Sequence, residues 1–321
     1  MKEFNYRSLI PTRVGFHNGL KYAAQKYPQI IGIGCDITIS VGMDAIANFF
    51  PERFFSVGIA EQNAITFAAG LSMTGKIPFV ASYATFIAMR ALDQIRVSVC
   101  YNNLPVKIGG AHAGISVGPD GATHQALEDI AALRALPNIV ILSPADATQT
   151  EKAVLAAVEQ NNGPVYIRYG RESMPDFTEK DEPFTIGKSQ ILTEGNDCVI
   201  YATGHLVWEA IEAWKMLYKE NIKTTIVNIY SIKPIDVETI VQTAKICNCA
   251  VTAEEHQVFG GMGSAVLEVL AQNYPVPVEM VGMNNCFGES GKPIELMKKY
   301  KMDRLAIYNA VKKVINRKNS F

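Results

Sequence analysis

A carboxylate stands where a predicted strand gives way to a helix, in Phe55-Ser56-Val57-Gly58-Ile59-Ala60-Glu61-Gln62-Asn63-Ala64. Glu61 precedes the apolar run Ala64 to Leu71, which leaves two uses for its side chain. Acids are favoured in the first turn of a helix, and on spacing alone that reading outweighs a catalytic one. A carboxylate partly withdrawn from water can instead exchange a proton with a bound group. Tyr83-Ala84-Thr85-Phe86 follows the next predicted strand, where an aromatic ring is by default core packing. Gly118-Pro119-Asp120-Gly121-Ala122-Thr123-His124-Gln125 reads locally as a Gly-Asp turn with Thr123 capping a helix. A polar, histidine-bearing turn after a strand is also where parallel α/β sheets take ligands.

The elements that would position these residues come from hydrophobic periodicity. Short apolar runs at Ile30–Gly34, Ile77–Ala81, Leu104–Ile108, Ile139–Leu142 and Val165–Ile167 read as buried strands with helices between them. Ser143-Pro144-Ala145-Asp146 reads as an N-cap, a first-position proline and an acidic third residue. The passage Arg171 to Lys188 is charged, carries two prolines and lacks periodicity, so it marks a boundary. The expected division is 1–175, a linker at 176–188, and 189–321. Beyond the linker, Cys198–Tyr201, Thr225–Ile229, Ala250–Ala253 and Val276–Met280 read as strands. Val207, Ile211, Trp214, Leu217 and Tyr218 mark one helix, and an Asp236 cap followed by Val237, Ile240, Val241 and Ala244 marks another. The fold class is therefore α/β, with two domains, each a mainly parallel sheet flanked by helices.

Composition narrows the partners. The chain is 48% hydrophobic and 19% charged, with a formal net charge of -1, which supplies no basic face for nucleic acid. No uncharged apolar run reaches the roughly 18 residues of a membrane helix, and the opening residues from Met1 to Arg7 carry no signal-peptide core. Six scattered cysteines, with Cys247 and Cys249 outside zinc-site spacing, read as reduced buried thiols of a cytoplasmic protein.

Val-Gly-Ile-Ala-Glu-Gln-Asn-Ala around Glu61, continued by Phe67-Ala68-Ala69-Gly70-Leu71, resembles the glutamate signature of the pyrimidine-binding domain of thiamine-diphosphate enzymes. The resemblance implies that Glu61 hydrogen-bonds the cofactor's aminopyrimidine and supports its activation. It implies that Phe86 stacks on that ring, with Tyr83, Asp36 and Ile59 near the cofactor. Met89 and Leu92 stand where transketolases usually place further aromatics. The Asp-Gly-Ala-Thr-His-Gln stretch is similar to the transketolase motif that contacts ketose hydroxyls, which gives Asp120 and His124 that role beside Glu61. Arg13, Ser40, His112 and Arg171 match the family's set at the anionic end of the sugar; guanidinium forks and imidazole suit a terminal phosphate. Deoxyxylulose-phosphate synthases are similar through Glu61 and Phe86 but carry arginine where His112 stands.

The family's Gly-Asp-Gly…Asn segment, which holds the diphosphate through magnesium, does not occur in this sequence. Gly260-Gly261-Met262-Gly263-Ser264 lacks the form of a phosphate loop and reads as structural. The resemblance runs from about Arg13 onward and spans two of a complete enzyme's three domains. It implies a C-terminal subunit, begun at Met1, whose partner carries the diphosphate- and Mg2+-binding domain. The implied assembly is a heterotetramer with two copies of each chain, and the implied reaction is transfer of a two-carbon ketol unit from a ketose phosphate to an aldose phosphate through thiamine diphosphate. The alternatives are the beta subunit of a 2-oxoacid dehydrogenase, a deoxyxylulose-phosphate synthase (disfavoured by His112 and the split length), a transketolase for a sulfonated or branched sugar, and a regulatory or scaffolding chain without catalysis.

Overall fold

The computed structural model describes residues 3–160 and 162–318; Met1 and Lys2, with which the sequence opens, lie outside them. In chain order the strands are β1 (Leu9–Pro11), β2 (Ile30–Gly34), β3 (Phe54–Ser56), β4 (Ile77–Tyr83), β5 (Lys107–Ala111), β6 (Val140–Leu142) and β7 (Val165–Arg168). Then come β8 (Ser173–Pro175), β9 (Gln190–Thr193), β10 (Cys198–Ala202), β11 (Thr224–Asn228), β12 (Ser231–Lys233), β13 (Ala250–Gln257) and β14 (Val278–Met283). One sheet has the order β12-β6-β7-β5-β4-β2-β3 and the other β14-β13-β10-β11-β9. Pairing is parallel within both, except that β12 and β9 join their edges antiparallel. β1 and β8 form a separate antiparallel ribbon.

Period-two alternation divides each strand of the first sheet between two cores. Ile30, Phe79, Ala81, Val140, Leu142, Val165 and Ile167 face the helices Thr12–Lys26 and Ala147–Glu159. Ile31, Ile33, Val80, Ile108, Ile141 and Tyr166 face the other way, toward the helix Glu61–Ser72. That second core continues without a break into Val199, Tyr201, Val227, Ile240 and Val266 of the second sheet and its helices, so the two halves share one interior. Arg168, at the end of β7, ties them: its Nε donates to Asp129 Oδ2 at 2.9 Å, and its Nη2 to the carbonyls of Ala126 and Glu255.

The chain goes from β2 outward to β3 and then returns to the opposite side of β2 as β4. A crevice opens outside the carboxyl ends of a parallel sheet where the direction of strand addition reverses. That reversal falls between β2 and β4, beside the loops that follow β3, β4 and β5.

Several local expectations shift. The strand expected at Leu104–Ile108 is β5, three residues later. Gly109 and Gly110 lie inside the sheet, where a Cβ on Gly110 would sit 2.1 Å from Tyr166 Oη. Ser143 does not cap its helix; Asp146 does, accepting from Gln149 N at 2.8 Å. Thr123 caps no helix either, since the next one is Asp129–Arg134, with Glu128 at its cap position. The passage Arg171 to Lys188 holds a strand, β8, because β1 supplies it with a partner. The Gly260–Ser264 segment opens the helix Met262–Asn273, and its amides already hold an anion of the chain itself: Glu254 accepts from Met262 N at 2.7 Å and Gly263 N at 2.8 Å. Among the described residues no helix is long and apolar enough to cross a membrane.

Two stability predictions follow from buried charge. Asp146 also accepts from the amides of Phe177 and Thr178 and from the Thr178 hydroxyl. Asp146→Ala should lower the unfolding free energy by about 2–4 kcal/mol in a urea titration, and Asp146→Asn by less. Lys107 is buried on β5 with Nζ donating to Gly163 O at 2.7 Å, and burial pushes its ammonium down to about 7. An unfolded lysine titrates near 10.4, so between roughly pH 7 and 10 the unfolded chain binds a proton that the folded chain lacks. Stability must then rise with pH through that window. Melts of Lys107→Met across the same range should show a smaller rise than the parent; an equal rise would refute the assignment.

Candidate active site

Glu61 is the first residue of its helix, reached from β3 through Val57 to Ala60, with Gly58 at φ +74°. Only 1% of the residue is exposed. The carboxylate crosses to the neighbouring strand rather than capping its own helix. Oε1 accepts from Ser82 Oγ on β4 at 2.9 Å, and Oε2 accepts from Arg90 Nη1 at 2.6 Å. Burying a carboxylate demands such partners, and here one of them is a charge.

Phe86 opens a π-helical turn, Phe86–Arg90, and a second one follows at Ile95–Cys100. Such turns insert an extra residue per helical repeat and gather at functional sites. The first brings Arg90 back beneath Phe86, with the guanidinium 4.5 Å from the ring centroid. One cation therefore meets both the Glu61 carboxylate and the Phe86 ring. Tyr83, at the end of β4, stands 5.7 Å from Phe86, 4.3 Å from His112 and 5.8 Å from His124; Phe86 and His124 are 5.2 Å apart.

His112 follows β5 with φ +55°, is buried, and its Nδ1 has no hydrogen-bond partner among the described residues. Burial, then the nearby charges of Arg171 and Arg13, push its imidazole down to about 3. Arg171, just beyond β7, donates to Asp120 at 2.9 Å. The Arg13 amide bonds Gly170 O and its guanidinium reaches Ser40 O at 3.4 Å, which sets the two arginines side by side. His124 pairs through Nδ1 with Thr123 Oγ1 at 2.9 Å.

Most of the site residues read from the sequence thus fall into a chain of contacts and two further pairs along one edge of the sheet. Glu61 and Phe86 meet through Arg90, Phe86 meets Tyr83 and His124, and Tyr83 meets His112. Asp120 meets Arg171, and Arg13 meets Ser40. Asp36 and Ile59 follow β2 and β3 at the same edge but are exposed, Ile59 to 74%, and take no part in this chain of contacts. Met89 is exposed and Leu92 packs against the core. Sequence reasoning missed Arg90 and Ser82. Arg90 reads as an ordinary surface cation unless the π-turn is known, and Ser82 is a small residue inside an apolar strand.

A buried carboxylate beside a half-buried aromatic face suits a flat, hydrogen-bonding heterocycle. Two arginines around a neutral imidazole with an unpartnered nitrogen suit an anionic group. No group of three or more His, Cys, Asp or Glu able to hold a metal ion occurs among the described residues.

The transketolase pyrimidine-binding domain family matches residues 8–176, and the transketolase C-terminal domain family matches residues 187–307. A transketolase C-terminal section of Methanocaldococcus jannaschii is 43% identical over 91% of this chain and 92% of its own length. A 6-deoxy-6-sulfo-D-fructose transketolase subunit of Clostridium sp. (strain MSTE9) is 37% identical over 94% of this chain and 92% of its own. Among solved structures, a split-gene transketolase described as an inactive beta4 tetramer superposes with a TM-score of 0.90 at 45% identity, over 96% of this chain and 99% of that one. The chain belongs to the transketolase family, as a C-terminal section built of the pyrimidine-binding and C-terminal domains.

Proposed function

We propose that this chain is the C-terminal subunit of a two-component, cytoplasmic transketolase that moves a two-carbon ketol unit from a ketose phosphate to an aldose phosphate. The observation that carries the reading is the Glu61 carboxylate, buried between Ser82 and Arg90 and joined through Phe86 and Tyr83 to the Arg13, His112 and Arg171 cluster. Thiamine diphosphate, when bound, supplies the electron sink for breaking the carbon–carbon bond next to the ketose carbonyl. Glu61 would hold the aminopyrimidine through one carboxylate oxygen and share a proton there. Phe86 would carry the face of the ring, with Tyr83 behind it and Asp36 and Ile59 at the rim. Magnesium and the diphosphate would be held by an N-terminal partner subunit, in an assembly with two copies of each chain.

The sugar end follows from the resting contacts. Arg171 is paired with Asp120 at 2.9 Å. An incoming sugar phosphate competes for that guanidinium, and an Asp120 released from it can accept a donor hydroxyl. His124, paired with Thr123, would meet a second hydroxyl. Arg13, Ser40, His112 and Arg171 would hold the anionic terminus. A sulfonate presents the same three-oxygen face as a phosphate, and the resemblance to the sulfofructose transketolase subunit makes a sulfonated ketose the second reading.

The deciding assay is ketol transfer from xylulose 5-phosphate to ribose 5-phosphate with magnesium and thiamine diphosphate. This chain is tested alone and then mixed with an N-terminal transketolase subunit carrying the Gly-Asp-Gly…Asn segment. Activity is expected only in the mixture, with Glu61→Gln lowering kcat by about 100-fold or more. Activity in this chain alone would sink the two-component reading. Transfer from 6-deoxy-6-sulfofructose, with none from xylulose 5-phosphate, would select the second. Removing one charge-assisted partner at the anionic terminus costs about 1.5–3 kcal/mol, so Arg171→Ala should raise KM for the sugar phosphate by roughly 10- to 150-fold. His112 ring nitrogen shifts should show a neutral imidazole at every pH above about 4, because its pKa is pushed down to about 3. Added inorganic phosphate should move that titration upward, since an anion favours the protonated ring.

A further inference from the structure

The loop that carries Asp120 and His124 is shaped from outside by the second half of the chain. Gly114, Gly118 and Gly121 take φ of +85°, +76° and +76°, a region that costs L side chains dearly. A Cβ at each would strike an atom from beyond residue 250: the Glu255 carboxylate at 2.4 Å, the Pro293 ring at 3.0 Å and Ser290 Oγ at 2.5 Å. The amide of Ser116 donates to Glu255 Oε1 at 2.5 Å. At the end of the loop the Gln125 side chain is 3% exposed. Its Nε2 donates to Ile115 O at 3.2 Å, within the loop, and to Glu289 O at 2.9 Å, in the C-terminal domain. Its Oε1 is buried without a hydrogen-bond partner among the described residues and faces Gly288, where a Cβ would lie 1.9 Å from it.

We propose that Gln125 is a positioning residue, a clasp through which the 285–293 segment of the C-terminal domain sets Asp120 and His124 for the donor sugar. The proposal rests on the functional reading above. A loop with three positive-φ glycines has many conformations to lose, and a loop left free must lose them when substrate binds. The clasp removes that loss in advance. Its contribution is felt in binding, so its absence raises KM for the ketose and leaves kcat near the parent value.

The test uses Gln125→Ala, Gly288→Ala, the double variant, and Lys313→Ala as a control whose ion pair with Glu279 lies on the surface of the same domain. Hydrogen exchange of this chain should show amides 115–126 exchanging at least tenfold faster in both single variants, with the β2–β7 amides and the melting temperature close to the parent. In the assembly with the N-terminal subunit, KM for xylulose 5-phosphate should rise about tenfold while kcat and KM for ribose 5-phosphate change less than threefold. Removing the Gln125 side chain vacates the space that a Gly288 Cβ would enter, so the double variant should be no worse than Gln125→Ala. Parent-like exchange in Gln125→Ala overturns the clasp whatever the activity. A fall in kcat with KM unchanged overturns the role in donor binding. A parent assembly that transfers no ketol unit, with exchange responding as expected, sinks the functional reading and the donor-binding role with it, and leaves the loop clasp standing.

Discussion

The buried pair of Arg168 and Asp129 is the constraint from which the rest of the arrangement hangs. Neither side chain has appreciable access to water, with exposures of 6% and 0%, and a charge so placed is costly unless a partner charge and hydrogen bonds compensate it. Burial opposes ionisation of Asp129, but Arg168 and His256 outweigh it and hold its carboxyl below the ordinary range. Tyr166 donates to the same carboxylate at 2.7 Å. The demands of one guanidinium therefore bring together the end of β7, the start of the helix Asp129–Arg134 and the Glu255 carbonyl on β13. Arg171 lies three residues past it and the 112–126 loop just before Asp129, so groups of the candidate site inherit their placement from a contact outside it.

Charge is handled differently at two comparable places, one in each half. The second half has a glycine-rich helix start that resembles an anion site in outline, and Glu254 fills it. Burial pushes Glu254 up to about 7 even against those two amide bonds. In the first half, the loop after β5 leaves an imidazole nitrogen unpartnered, with Arg171 from beyond β7 and Arg13 from the helix Thr12–Lys26 near it. The glycine-rich helix start is answered from within the chain, and the His112 nitrogen is not.

What the sequence disclosed was decided by how local each signal is. Glu61, Phe86, Asp120 and His124 sit in contiguous stretches whose residue order is itself the signal, and the apolar strands announce themselves through burial on both faces. Arg90 was invisible because its placement depends on a π-turn, which adds a residue to the helical repeat and breaks the spacing from which faces are read. β5 was expected three residues early because Gly109 and Gly110 carry no apolar side chain to extend the run, and their place in the sheet depends on Tyr166 filling the space beside Gly110. β8 and β12 were missed because a strand of three residues exists only through its partner, and both partners are far away in sequence. Gln125 was read as part of a motif, but its bond to Glu289 spans 164 positions.

β12 has a consequence for how the molecule comes into being. Residues 231–233 complete the edge of a sheet whose other strands all lie before residue 169. During synthesis, β6 emerges with its outer backbone groups unpaired and stays so until some ninety further residues have left the ribosome. An uncovered strand edge is a template for pairing with other chains. The nascent protein therefore passes through an interval in which its first sheet is assembled but open on one side, and only the arrival of the second half closes it.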